Sequence, residues 1–191
     1  GACGYGKQLL PSDPFAKGGG YSQDVLPAAD FVKQTGYPDP TKLVLMGGSY
    51  GGYMTMMGGT KAPDVWAAGV PIVPFVNWFT EIANADPVLQ QSDLATMGDL
   101  ETNKDLFHDR SPIFFVDQIK APLLLLAGGN DPRCPKEEAQ QVVDAVKKRG
   151  GVAEYKVYEN EGHGFARVGN QIDACQRVSE FLKARAPPAD C

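Results

Sequence analysis

Several things are scarce in this chain of 191 residues. No apolar run approaches the roughly 20 residues that cross a bilayer. The longest, Leu123 to Ala127, has the length of a strand, so no membrane partner is expected. Positive charge is the minority, with 18 Lys and Arg against 23 Asp and Glu and a net charge of -5. No basic cluster breaks that balance, which argues against a nucleic-acid partner. The four cysteines (Cys3, Cys134, Cys175 and Cys191) show no C-x-x-C spacing, which argues against a zinc site. The chain opens on Gly1 with no secretory leader, and a cytoplasmic location is the expectation. Histidine is as scarce as tryptophan, with two of each: His108 and His163 are the only imidazoles any mechanism could use.

What is present is globular in kind, with 43% hydrophobic and 21% charged residues, enough for one domain over 1–191 with a sizeable core. The chain is organised around Leu43 to Met57, an apolar run, a glycine-rich corner and a second apolar run. The corner fits G-x-S-x-G as Gly47-Gly48-Ser49-Tyr50-Gly51. A serine that attacks a carbonyl must stand proud of the backbone at a sharp strand-to-helix turn, and the close approach there calls for glycine. The turn also sets the amide of Tyr50 at the start of the following helix, where it can donate to a developing oxyanion.

Strands and helices alternate along the rest. Residues 1–20 are Gly- and Pro-rich and irregular. A helix is expected over Ser22 to Thr35, with Val25, Ala28, Ala29 and Val32 inward and Gly36 just past its end. Lys42 to Met46 reads as a strand, Tyr50 to Gly59 as a helix and Val65 to Val73 as a strand apolar on both faces. Aromatics after that strand, Phe75, Trp78 and Phe79, suit a pocket or plain core equally. Thr80 to Asp117 suits short helices. Pro122 to Ala127 is a buried strand, Pro135 to Arg149 a helix with Ala139, Val142, Val143 and Val146 inward, and Val152 to Tyr158 a strand. Asn170 to Ala184 reads as a final helix with Ile172, Cys175, Val178 and Leu182 inward. This alternation calls for an α/β fold with a mostly parallel sheet flanked by helices.

A nucleophilic serine needs a base, and the base an orienting acid. In sheets of this kind the chain order is serine, acid, histidine, each at a strand's C-terminal end. His163, in a Gly-flanked loop after the last strand, fits; His108, in a polar stretch, reads as a solvated surface residue. Asp131 directly follows a buried strand and is the candidate acid, with capping of the helix near Pro135 as its other reading. Glu161 is the fallback acid, too near His163 in sequence to face its ring easily.

Three stretches carry a resemblance: G-G-S-Y-G-G-Y-M at 47–54, N-D-P-R-C-P at 130–135 and E-G-H-G-F at 161–165. In this order they resemble the catalytic domain of the prolyl oligopeptidase family, nearest the acylaminoacyl-peptidase and dipeptidyl-peptidase branch. Ile72 to Trp78 and Arg110-Ser111-Pro112 are similar to the same branch. The resemblance implies a reduced α/β-hydrolase fold, with Ser49 as nucleophile, Asp131 as acid, His163 as base and the Tyr50 amide in the oxyanion hole. It implies a substrate pocket lined by Tyr50, Phe75, Trp78 and Cys134, with Cys134 a wall rather than a nucleophile, and Arg133 bracing the loops by ion pairing. No cofactor and no metal are implied.

The family's β-propeller, its first strands and the second oxyanion donor they carry have no counterpart in these residues. On that ground the expected activity is hydrolysis of carboxylic esters of small or aromatic acyl groups by a Ser-His-Asp mechanism. An exopeptidase or oligopeptidase fragment acting on short peptides is the alternative, and a non-catalytic module that kept the fold is a third reading. The strand before Ser49 is expected to have one open edge, and a homodimer across it is the expected assembly.

Overall fold

The computed structural model describes residues 24–187. The expectations for residues 1–20, for the start of the first helix at Ser22 and for Cys3 and Cys191 lie outside them. Among the described residues the elements run α1 (Leu26–Gln34), β1 (Val44–Gly48), α2 (Tyr50–Lys61), β2 (Ala68–Ile72), α3 (Trp78–Asn84), α4 (Pro87–Met97) and α5 (Lys104–Asp109). A 3-10 helix (Pro112–Gln118), β3 (Leu123–Gly128), α6 (Lys136–Lys148), β4 (Ala153–Tyr158) and α7 (Val168–Arg185) follow.

The four strands form one sheet in the order β1-β2-β3-β4, every pair parallel, with Gly48 level with Ile72 and Gly128 level with Tyr158. Parallel neighbours need a crossover, so helices must cover both faces. The sequence of β3 shows how. Its side chains alternate: Leu123, Leu125 and Ala127 join Met56, Val142 and Val146 on one face, and Leu124 and Leu126 join Ala174 and Phe181 of α7 on the other. A strand buried on both sides can be apolar throughout, as this one is. The parallel arrangement also puts the C-terminal ends of all four strands at the same edge, and the loops that follow them share one rim.

Helix α6 buries Ala139, Val142, Val143 and Val146, the stripe read from the sequence. Two other stripes differ from the expectation. In α1 only Ala29 is buried, while Val32 is 41% exposed, because the helix meets the small cluster around Leu43 and Trp66 through Val25 and Leu26. In α7 Val178 and Leu182 pack inward as expected, joined by Ala174 and Phe181, whereas Ile172 and Cys175 face out. The steps from 174 to 178 to 181 follow the helical period as well as the expected set does, and contact with the sheet selects between them.

Candidate active site

Ser49 occupies the corner between β1 and α2 with φ 57° and ψ -120°. A positive φ is costly for a residue with a side chain and persists only when the surroundings hold it. Two things hold it here. The Ser49 amide donates to the carbonyl of Ile72 at 2.9 Å. A Cβ on Gly47 would lie 2.5 Å from the Gly51 carbonyl oxygen, so the strand can meet the helix this closely only with glycine at 47. Gly51 has open space around its would-be Cβ, so the two glycines of the motif are not equivalent. A second outlier lies nearby: Val73, at the end of β2, has φ 42°.

Asp131 follows β3 through Gly128-Gly129-Asn130. The Asn130 amide donates to the Glu161 carbonyl at 2.9 Å, and its side-chain amide donates to the Glu159 carbonyl at 2.8 Å. These bonds draw the loop after β4 against the end of β3. Asp131 lies at the junction with its side chain fully buried. One carboxylate oxygen accepts from the amides of Arg133 and Cys134 at 2.9 and 3.0 Å, and both oxygens lie 2.9–3.0 Å from His163 Nδ1. The two readings of Asp131 therefore coexist, since the side chain closes the turn before α6 and faces the imidazole.

His163 Nε2 lies 2.7 Å from Ser49 Oγ. A carboxylate can only accept, which puts the ring proton on Nδ1 and leaves Nε2 to accept from the serine hydroxyl. Residues 49, 131 and 163, far apart in sequence, thus form one hydrogen-bonded line. Glu161 turns away from the imidazole. It is buried and accepts from the side chain of Asn170 and the amides of Ala166 and Arg167. Those bonds, Asn170 first, hold its carboxyl below the usual range. Its work is to fasten the histidine loop. His108 is exposed and stacked on Phe114 with centroids 4.2 Å apart.

A cavity of ≈ 140 Å³ opens beside Ser49, and Tyr50, Phe75, Trp78 and Cys134 all line it. Tyr53 stacks on Phe75 at 4.7 Å behind this wall, and Trp78 meets Phe75 edge-on at 4.8 Å. Phe79 instead packs towards Phe107 and Phe114. Burial, then the neighbouring charges of Glu81 and Asp131, push the Cys134 thiol far up, which keeps it protonated and poor as a nucleophile. The sequence reading missed four further lining residues: Glu81, Leu89, Asp93 and Arg133. Arg133 is exposed, and no ion pair of its guanidinium occurs among the described residues, so the expected bracing role gives way to a place on the rim.

Two supports were also missed. Ser111 Oγ accepts from the Trp78 amide at 2.9 Å and donates to the Phe107 carbonyl at 2.7 Å. Buried Glu138 accepts from the Val76 amide at 2.9 Å and from the Thr80 hydroxyl, tying the pocket loop to α6. Ser111 was visible only as part of a motif, and Glu138 only as one more charge near a helix start.

A family model described as the prolyl oligopeptidase family matches residues 1–187. The dipeptidyl aminopeptidase BIII of Pseudoxanthomonas mexicana is 40% identical over 149 residues, 75% of this chain and 22% of that protein. The acylamino-acid-releasing enzyme of Arabidopsis thaliana is 31% identical over 189 residues, 95% of this chain and 25% of that one. The chain thus spans between a fifth and a quarter of the length of these relatives. Among solved structures, a puromycin hydrolase superposes with a TM-score of 0.88 at 26% identity, covering 95% of this chain and 28% of the other. A puromycin-hydrolyzing peptidase of Mycobacterium tuberculosis gives 0.92 at 24% identity, over 96% and 28%. The fold is that of an α/β-hydrolase, with a parallel four-stranded sheet among the described residues.

Proposed function

The chain belongs to the prolyl oligopeptidase family, and from that premise we propose that residues 1–191 form one catalytic domain of a serine peptidase that cleaves short peptides. Ser49 is the nucleophile, His163 the base and Asp131 the acid that orients it. The observation that carries this reading is the unbroken line from Asp131 through His163 to Ser49 Oγ, with a cavity beside the serine. Ser49 Oγ adds to the substrate carbonyl as its proton passes to Nε2. The buried Asp131 carboxylate stabilises the imidazolium that results. The Tyr50 amide, first in α2, meets the oxyanion. Nε2 then returns the proton to the departing amine, leaving an acyl-enzyme that water hydrolyses by the same steps.

The expected preference for carboxylic esters gives way to peptides. The relatives are named as a dipeptidyl aminopeptidase and an acylamino-acid-releasing enzyme. The ester reading leaned on parts of the family fold that lie outside these residues, and a chain of a fifth to a quarter of its relatives' length gives no measure of those parts. Esters remain useful probes, because the same acyl-enzyme chemistry consumes them. A fluorophosphonate should label wild type and leave Ser49→Ala unlabelled, and peptide amides should be turned over in competition with p-nitrophenyl esters. Labelling that survives Ser49→Ala overturns the assignment. Absence of labelling in wild type favours the non-catalytic module.

The outer edge of β1 has no strand partner among the described residues, and Met46 on it is 54% exposed. A second copy of this chain across that edge is the proposed assembly. Sedimentation at low micromolar concentration should give a dimer, and a clean monomer overturns it.

A further inference from the structure

Among the described residues, two that are not glycine have a positive φ: Ser49 at 57° and Val73 at 42°. A single peptide group links them. The Ile72 carbonyl accepts from the Ser49 amide at 2.9 Å, and on the other side of that peptide the Val73 amide donates to the Leu126 carbonyl at 2.7 Å. The ladder of the sheet is therefore intact up to the Val73 nitrogen, and the chain turns only after it. Left-handed backbone is an outlier for a β-branched residue and persists only where the surroundings fix it. Ser49 needs its outlier to form the nucleophile corner. Val73 is outside the triad, so its outlier has another cause.

The turn leads to the pocket. Pro74 comes against the first turn of α2, where a Cβ on Gly52 would lie 3.1 Å from the Pro74 Cα and 2.9 Å from the Ile72 carbonyl oxygen. Phe75 then stacks on Tyr53 at 4.7 Å and lines the cavity beside Ser49. Beyond it the chain is fixed again: the Val76 amide donates to Glu138 at 2.9 Å, and the Val76 carbonyl accepts from the Ile113 amide at 3.1 Å. Phe75 lies between two anchors, and the turn at Val73 is the one next to the nucleophile corner. The Val73 side chain is 4% exposed, and its branching leaves it few rotamers. Pro74 adds to this by keeping the residue before it from right-handed helical backbone.

We infer that Val73 is a positioning residue. Its left-handed turn, held by a stiff buried side chain, fixes the Phe75 wall and so sets the preference of the pocket for acyl groups that reach that wall. The inference rests on the reading of Ser49 as the nucleophile. A slack turn would leave Phe75 to be ordered at each binding event, and such ordering costs affinity.

The test uses two p-nitrophenyl esters: the hydrocinnamate, whose ring reaches Phe75, and the acetate, which has no group to reach it. In Val73→Gly the left-handed backbone loses its steric cost but is no longer fixed. In Val73→Ala the cost remains and the branching that held the turn is gone. In both, the ratio of kcat/KM for hydrocinnamate to that for acetate should fall by about 3- to 10-fold, the range for ordering one freed side chain. The fall should come through KM rather than kcat. Both esters are measured on one sample, so the ratio does not depend on the fraction folded, and either variant suffices. Val73→Gly should also melt no lower than Val73→Ala, the reverse of an ordinary site. A ratio unmoved in either variant, or an Ala variant that melts above the Gly one, overturns the inference. Normal fluorophosphonate labelling of wild type with an unmoved ratio sinks this inference alone, whereas absence of labelling sinks the serine assignment beneath it.

Discussion

The carbonyl oxygen of Gly162 sits 2.1 Å from where a side chain on Gly128 would begin. No residue but glycine can hold position 128 without moving the loop that carries His163. The contact joins the ends of β3 and β4, and Asn130 locks it with bonds to the carbonyls of Glu159 and Glu161. Close backbone packing at Gly128 therefore helps to set the distance between Asp131 and His163, and the Asn130 and Glu161 side chains fasten it.

Gly128→Ala should consequently destabilise the chain by about 3 kcal/mol or more, because the clash is with backbone. It should also lower the rate of acylation beyond what lost folding explains. Gly47→Ala should behave likewise through the Gly51 carbonyl. Gly51→Ala meets nothing within 4 Å and lies inside α2, so it should be neutral or stabilise by up to about 1 kcal/mol. Thermal melts with burst kinetics on a p-nitrophenyl ester separate the cases; equal behaviour of the 47 and 51 variants would refute this account of the corner.

Replacement of Ser49 or His163 by Ala should each lower acyl turnover by about 10⁴- to 10⁶-fold, and the double variant should lose little more, because the two act as a unit. Asp131→Asn keeps an oxygen for the Arg133 and Cys134 amides but presents the wrong partner to Nδ1. It should cost about 10⁴-fold in kcat with a near-native melt. His108→Ala should leave turnover within about twofold. Activity lost in His108→Ala and kept in His163→Ala would reverse the assignment.

Glu161 gives a pH dependence of known sign. Hydrogen bonds from Asn170, Ala166 and Arg167 hold its folded pKa below the ordinary 4.5. Its contribution is therefore present above about that value and lost as pH falls through the lower folded one. Glu161→Gln lacks this charge-dependent term. The gap in melting temperature between wild type and Glu161→Gln should shrink on going from about pH 7 to about pH 3. A gap that stays constant, or widens in acid, would exclude the anchoring role.

Glu138 runs the other way. Burial, the largest influence, raises its pKa above 4.5, so the fold favours the protonated acid and stability is lost as pH rises through the folded value. Glu138→Gln can accept from the Val76 amide and donate to the Thr80 hydroxyl, which itself donates to the Asn77 carbonyl. It should hold the pocket loop and remove this loss, gaining on wild type as pH climbs. Glu138→Ala strands the buried Val76 amide and should cost about 1–3 kcal/mol. Melts of all three proteins across pH provide the check; a Gln variant as unstable as the Ala one would refute it.

The sequence by itself determined what depends on local sterics and local period. Gly47 and Ser49 announce a strained corner because few residues tolerate that backbone. The alternation of strands and helices implies a parallel sheet, which puts residues that follow strands on one rim. That was enough to name Ser49, Asp131 and His163, with the aromatic wall added by resemblance. The α6 stripe was legible because four apolar residues repeat at the helical period against a charged face.

Only the tertiary structure decided matters that depend on which surface faces which. The inward sides of α1 and α7 were ambiguous in pattern, and contact with Trp66 and Leu43 in one case and β3 in the other selected them. Glu161 could have faced the imidazole until three donors after it turned it away. Glu81 and Asp93 lie in a stretch of weak periodicity, where a carboxylate reads as solvated surface. Burial against the pocket comes from the packing of α3 and α4 beside Ser49, and no spacing along the chain encodes it, because Ser49, Tyr50 and Cys134, which line the same pocket, lie more than thirty positions away.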